Sequence, residues 1–384
     1  MSTASRPLLL ALAASLALAG CRSDDPPASP DGAPRPDATI ADAGPDAADV
    51  DADPGCQALA SDYTPRDNGS AGDPWPACIS DDNAYHPFNA SISSIARVAA
   101  FEDMATLLFT GSPPSPQDFL DARALYLQAS GLESRVSRRE DEHYPPVTDG
   151  GGNVVACQNL TPTEVAANPE RCVGPAVLAP IINDAFTVGQ DGASTDLQRR
   201  IAAAQIEGAL LWFFYVSNHK EATTCTTAAG DCDSSFAYYT GGDARDAGKG
   251  LARYVRALDV DTHDRIWDGI LAVRCWRDLD NPTGVATDLT TRDLAIAQQD
   301  RASLRGVAQI VRDRTQTLAG LAAGDARTAL WEMIRTLGAA LDREATARDA
   351  ATAALLRTEL ARTDVALVDT TQIITALDTI FPCS

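Results

Sequence analysis

Between Thr195 and Glu221 the chain reads TDLQRRIAAAQIEGALLWFFYVSNHKE, with no proline to interrupt a helix. At its centre Ala209–Val216 is an unbroken apolar run, Ala-Leu-Leu-Trp-Phe-Phe-Tyr-Val. A helix apolar on every side must be surrounded by other elements, so this stretch is expected to be the central helix of a helical domain. The run is too short to span a bilayer and reads as core.

Around it the sequence shows further helical patterning and no convincing strand alternation. Ile95, Val98, Ala99, Glu102, Ala105 and Phe109 recur at helical spacing, and Gly111-Ser-Pro-Pro114 stops that element. Further helices are expected over Gln117–Ser130, 176–189, Ala244–Leu258, Thr262–Leu279, Leu289–Ala322, Ala326–Leu360 and Thr370–Ile380. Ser234–Tyr239 reads as a short aromatic segment ended by Gly241-Gly242. Residues 131–175 are polar and rich in Gly and Pro; a loop of that length in a compact domain is either functional or poorly ordered. The expected class is all-α, a single large multi-helix bundle over residues 56–384.

The N-terminus carries an address. Arg6 precedes the apolar run Leu8-Leu-Leu-Ala-Leu-Ala-Ala, and Leu18-Ala-Gly-Cys21 follows. Residues 1–20 read as a secretory signal, and the Cys after Leu-Ala-Gly resembles the bacterial lipobox, in which that cysteine becomes the lipidated N-terminus. The expected location is the cell envelope, at the outer membrane or cell surface. Residues 21–55 are rich in Asp, Pro and Ala. Without large apolar side chains they cannot offset chain entropy, so they read as a disordered tether.

The chain's net charge is −22; the tether holds −7 of it and Arg6 adds +1, leaving −16 on residues 56–384. That excludes a phosphate-binding surface of clustered Lys and Arg, hence nucleic acid as partner. Apart from Cys21 there are eight cysteines, Cys56, Cys78, Cys157, Cys172, Cys225, Cys232, Cys275 and Cys383. An even number outside the cytoplasm reads as four disulfides. Proximity favours Cys56–Cys78, Cys157–Cys172 and Cys225–Cys232, leaving Cys275–Cys383. No C-x-x-C pair points to zinc.

Candidate ligands are scattered. Glu102 and Glu207 lie on apolar helix stretches, where a carboxylate needs an Arg, a hydroxyl or a metal. Inward carboxylates on facing helices are how bundles build metal sites. His219 and Glu221 stand two positions apart, about 200° around a helix, so they share a metal only where the helix frays; otherwise His219 reads as an exposed residue at a helix C-terminus. His86, His143, His219 and His263 show no H-x-x-x-H spacing. Asp261 or Thr262 reads as the N-cap of the helix that follows.

The long apolar helix followed by Cys232-Asp-Ser-Ser-Phe-Ala-Tyr-Tyr-Thr-Gly241, and then by Lys249–Tyr254, resembles extracytoplasmic all-α iron-handling proteins. These are the algal Fe-assimilating proteins and, more distantly, imelysin-like lipoproteins. The resemblance covers roughly residues 195–280 and rests on an Asp-x-x-[Phe/Trp]-x-[Tyr/Phe]-[Tyr/Phe]-x-Gly element. Here Cys232 stands in place of the usual Trp and Ser234 in place of the usual second acid, and the imelysin G-x-H-x-x-E motif is absent. It implies iron bound by hard oxygen donors, with Asp233, Tyr238 and Tyr239 as carriers. The expected function is therefore a lipid-anchored binding protein for iron or another cation. The alternative is a non-catalytic surface lipoprotein whose acids are salt-bridged. No nucleophile motif supports an enzyme.

Overall fold

The computed structural model describes residues 58–66, 75–128 and 131–382. The leader, Cys21, the tether, Cys56 and Cys383 lie outside them. The described chain is all-α, its one extended pairing being an isolated bridge between Thr148 and Val154. The described residues belong to one compact unit.

In order, the helices are α1 (Ser93–Leu108), α2 (Pro116–Tyr126), α3 (Glu133–Val136), α4 (Pro162–Ala167), α5 (Ala179–Gln190), α6 (Asp196–Thr224) and α7 (Ala229–Thr240). They are followed by α8 (Leu251–Leu258), α9 (Val260–Leu279), α10 (Thr290–Gly320), α11 (Asp325–Gly338), α12 (Asp342–Arg348), α13 (Ala350–Leu360) and α14 (Thr370–Ile380). Among the described residues no helix is long and apolar enough to cross a membrane.

The apolar stretch is the axis of the bundle. Helix α6 starts at a capping box, in which the Thr195 side chain accepts from the backbone N–H of Gln198 and the Gln198 side chain accepts from that of Thr195. Leu210, Leu211, Phe213 and Phe214 are fully buried, each worth about 1.5–3 kcal/mol of transfer free energy. Helices α5, α7 and α11 pack along α6, and α1, α8 and α10 complete its surroundings. The approach of α11 is close: a Cβ on Gly208 would lie 2.9 Å from the Met333 carbonyl oxygen, so a side chain there would force the helices apart.

Several boundaries differ from the sequence expectation. Ser234–Tyr239 belongs to a regular helix, α7. Ala244–Leu258 is helical only from Leu251, because Gly248 and Gly250 take positive φ values of 124° and 56°. Ala326–Leu360 is three α-helices; Asp349 breaks the run by accepting from the N–H groups of Ala351 and Thr352 and so starting α13. The N-cap of α9 is Asp259, not Asp261 or Thr262, and its carboxylate accepts from Asp261 N and Thr262 Oγ1.

The cysteine pairing also departs from proximity. Cys157–Cys172 and Cys225–Cys232 are bonded, but Cys78 pairs with Cys275 across 197 residues. Cys56–Cys78 and Cys275–Cys383 are therefore both replaced. The driver is burial: Tyr63 and Asp81 hydrogen-bond at 2.9 Å beside Cys78, and Tyr63 exchanges two backbone bonds with the Gln298 side chain of α10. The entry segment is thereby laid across α9 and α10.

Candidate metal centre

Residues 131–175 are ordered by a small number of strong anchors. Arg171 carries most of them: its guanidinium reaches Glu140 and Glu142, each at 2.8 Å, and the carbonyls of Asp141 and Tyr144. Five donors in a rigid fork can bind that many acceptors at once, which a lysine could not. Cys157–Cys172 closes the same loop, and Glu140 also accepts the Cys157 N–H. The loop is docked on α6 by Arg139, whose Nη1 meets Glu221 Oε1 at 2.8 Å with both side chains buried. The Arg139 guanidinium lies 5.4 Å from the ring centres of Phe213 and Tyr238.

These anchors carry His143 to the side of α6. Asp141 Oδ1 accepts the His143 backbone N–H at 3.0 Å and lies 2.5 Å from its Nδ1, fixing the ring. His143 Nε2 then stands 3.1 Å from Asp300 Oδ1 of α10. The ring of His219 stacks on that of His143 at 3.7 Å, with its Nδ1 3.7 Å from the same Asp300 oxygen. Tyr215, one turn before His219, donates its hydroxyl to Asp300 Oδ1 at 3.0 Å. Among the described residues, His143, His219 and Asp300 are the group able to offer three converging metal donors. A cavity of about 220 Å³ lies alongside, lined by His143, Tyr215, Trp212 and Arg343.

The charges interlock. Burial disfavours a charged ring at His143, but Asp300 and Asp141 outweigh it and push the imidazole up to about 10. For His219 burial wins, helped by the positive His143 and opposed by Asp300, bringing it down to about 4. Burial alone would raise the Asp300 carboxyl; His143, His219 and Arg343 hold it well below the ordinary carboxylate range. Burial and the negative Asp300 and Asp141 keep the Tyr215 phenol protonated. Without a metal, the centre thus holds one proton on His143, where a cation could stand.

The residues singled out from the sequence are dispersed over the bundle. Only His219 belongs to this centre. It is not an exposed residue at a helix terminus: α6 continues to Thr224 and the side chain is 12% exposed. Glu221, on another face, is committed to Arg139. Asp233 is a clamp for the entry segment, accepting from Tyr85 Oη, Phe88 N and Asn89 N at 2.8–2.9 Å, while Phe236 stacks on Tyr85. The Asp-x-x-Phe element therefore grips residues 85–89. Tyr238 accepts from Arg97, and Tyr239 bonds His263 Nδ1 at 2.9 Å. His263 Nε2 lies 2.7 Å from the Arg245 carbonyl, and burial lowers the pKa of this ring. Glu102 pairs with Arg253, and Glu207 accepts from Tyr254 Oη at 2.7 Å. Glu102 and Glu207 share a cavity, but Asp233 does not join them.

His143 and Asp300 had no local signal beyond Asp141 lying two residues before His143. His219, on the most apolar helix, was the one member of the site named from the sequence, while Tyr215, four residues earlier, read only as part of the apolar run. Comparison with family models, with curated proteins and with solved structures finds no match to this chain.

Proposed function

We propose that the protein is a lipid-tethered, extracytoplasmic binding protein for a divalent transition-metal cation. Iron is the first candidate, and the cation is held by His143 Nε2, His219 Nδ1 and Asp300. The observation that carries this reading is the convergence of those three donors with Asp141 bonded behind His143, since a carboxylate on the far ring nitrogen is how metal-binding histidines are oriented. Bonds of about 2.0–2.1 Å at octahedral or tetrahedral angles place donor atoms about 2.8–3.4 Å apart. The separations of 3.1 and 3.7 Å to Asp300 need only a small adjustment to reach that range. Two imidazoles and one carboxylate suit ferrous iron or zinc better than calcium or magnesium, which prefer oxygen donors. The oxygen-rich set around Asp233 implied by the family resemblance is replaced by this mixed one.

Cation binding must displace the proton on His143 while His219 is already neutral. Between roughly pH 5 and 9 one proton should leave per cation bound, and affinity should rise about tenfold per pH unit. Calorimetry of ferrous or zinc binding in buffers of different ionisation enthalpy measures that proton. An affinity unchanged between roughly pH 6 and 8 would remove His143 from the ligand set.

One observation favours a second reading, a surface protein with no metal. Protonated His143 between Asp141 and Asp300 already satisfies the cluster. Metal content of protein purified without chelator separates the two readings, with near-stoichiometric metal expected for the first. The tether is tested independently: Cys21→Ser should move the protein from membranes to soluble fractions, because the acyl chains would be its anchor. A variant still sedimenting with membranes would overturn the lipobox reading.

A further inference from the structure

A second cavity, of about 570 Å³, opens between α1, α6, α8 and α10. Its volume falls in the range of small-molecule sites. It carries charge of both signs, Glu207 and Arg314, which act on each other through space without an ion pair at bonding distance. Arg314, from α10, makes no hydrogen bond or ion pair with any described residue, and its guanidinium carbon lies 5.9 Å from the Tyr254 ring centre. Glu207, from α6, uses Oε1 to accept from Tyr254 and leaves Oε2 without a protein partner. Arg253 is already committed to Glu102, whose Oε1 also accepts the Gly250 N–H at 2.6 Å. That pair forms part of the wall rather than free charge. Phe109 and Ile310 supply apolar surface beside the two unspent groups.

A half-buried carboxylate facing a cavity without an ion pair at bonding distance is an unfavourable arrangement for the protein alone. A ligand ammonium would complete it. The Arg314 guanidinium in the same cavity, held by no hydrogen bond, offers a planar fork matched to a carboxylate. We propose that this cavity binds a small zwitterion, an amino acid or short peptide, with its carboxylate on Arg314 and its ammonium on Glu207. The site is independent of the metal centre, and it gives a binding protein a second, organic cargo.

The test is a thermal-shift and calorimetric titration of the wild-type protein in EDTA, which keeps the metal centre empty. The probes are the twenty free amino acids, alanyl-alanine, acetate and ethylamine. At least one zwitterion is expected to bind, with acetate and ethylamine at least tenfold weaker, because each satisfies only one of the two charges. Binding by amino acids but not by alanyl-alanine, or the reverse, identifies the source. Arg314→Gln and Glu207→Gln should each weaken the best probe at least tenfold, whereas His219→Ala should leave it unchanged. Circular dichroism melts of the two glutamine variants check that they remain folded. No response to any zwitterion, or equal binding of acetate alone, overturns the proposal, as does full affinity in folded Arg314→Gln.

Discussion

Asp300→Asn is expected to reduce cation affinity at least 100-fold, about 2.7 kcal/mol, and to destabilise the metal-free protein as well. Asp300 is the group to which His143, His219, Tyr215 and Arg343 all turn. Asparagine keeps the shape and removes the charge, so in the apo protein the protonated His143 keeps Asp141 at 2.5 Å but loses the second of its two counter-charges. Stranding a charge in a buried cluster costs about 3–5 kcal/mol where nothing else neutralises it; Asp141 should hold the loss toward the lower end. The sign with pH follows from His143. Its folded pKa of about 10 exceeds the ordinary 6.5, so its stabilising contribution is complete below 6.5 and is lost as pH rises through 10. His219 acts oppositely, since its lowered value makes protonation costly as pH falls below 6.5 toward 4. The apo wild type should be most stable between these limits, and Asp300→Asn should show a smaller alkaline-side decline, since Asp141 still faces the His143 ring. In an NMR titration the His143 ring of the variant should titrate well below the wild-type ring. An unchanged His143 titration together with unchanged cation affinity would remove Asp300 from the centre.

Breaking Arg139–Glu221 should have an effect of similar size by another route. Glu221→Gln leaves a fully desolvated guanidinium against Phe213 and Tyr238, and Arg139→Met leaves a buried carboxylate with Lys220 at 3.5 Å and the more distant Arg135 as its remaining cations. Each single change should cost about 3–5 kcal/mol of unfolding free energy. The double change Arg139→Met with Glu221→Leu should cost less than either, because no unpaired charge remains and the apolar replacements suit the surrounding rings. A double-mutant cycle measured by urea denaturation gives the coupling. Additive losses would show that the pair does not act as a unit. The single variants should also loosen the His143 loop, so cation affinity should fall in parallel with stability.

The scaffold was far more legible in the sequence than the site it carries. Helix α6 declared itself through the Ala209–Val216 run and the Thr195 cap, and α14 ran over the expected Thr370–Ile380, because apolar periodicity and capping are local signals. Ser234–Tyr239 was obscured by its short apolar span, and the break before α13 by an alanine-rich run that masks Asp349. The candidate site has no local signal to read. Tyr215 meets a histidine 72 residues earlier and an aspartate 85 residues later, and no spacing motif spans such distances. Glu102, Glu207, Asp233 and Glu221 stood out as acids in apolar surroundings, yet three of the four proved to serve the fold: Glu102 and Glu221 by pairing with arginines, Asp233 by capping the entry segment. Acid burial alone does not separate ligands from salt bridges.

The Cys78–Cys275 bond spans the whole stretch that supplies two of the three candidate donors, His143 and His219. The turn at residues 148–154 is exposed and holds Gly150-Gly-Gly152, which makes it the natural target for a protease. A cut there would place His143 on one fragment and both His219 and Asp300 on the other. Because Cys78 and Cys275 fall on opposite sides of the cut, the two fragments would stay covalently joined. Nicked protein would migrate as one species until reduced, and the centre could survive a severed backbone.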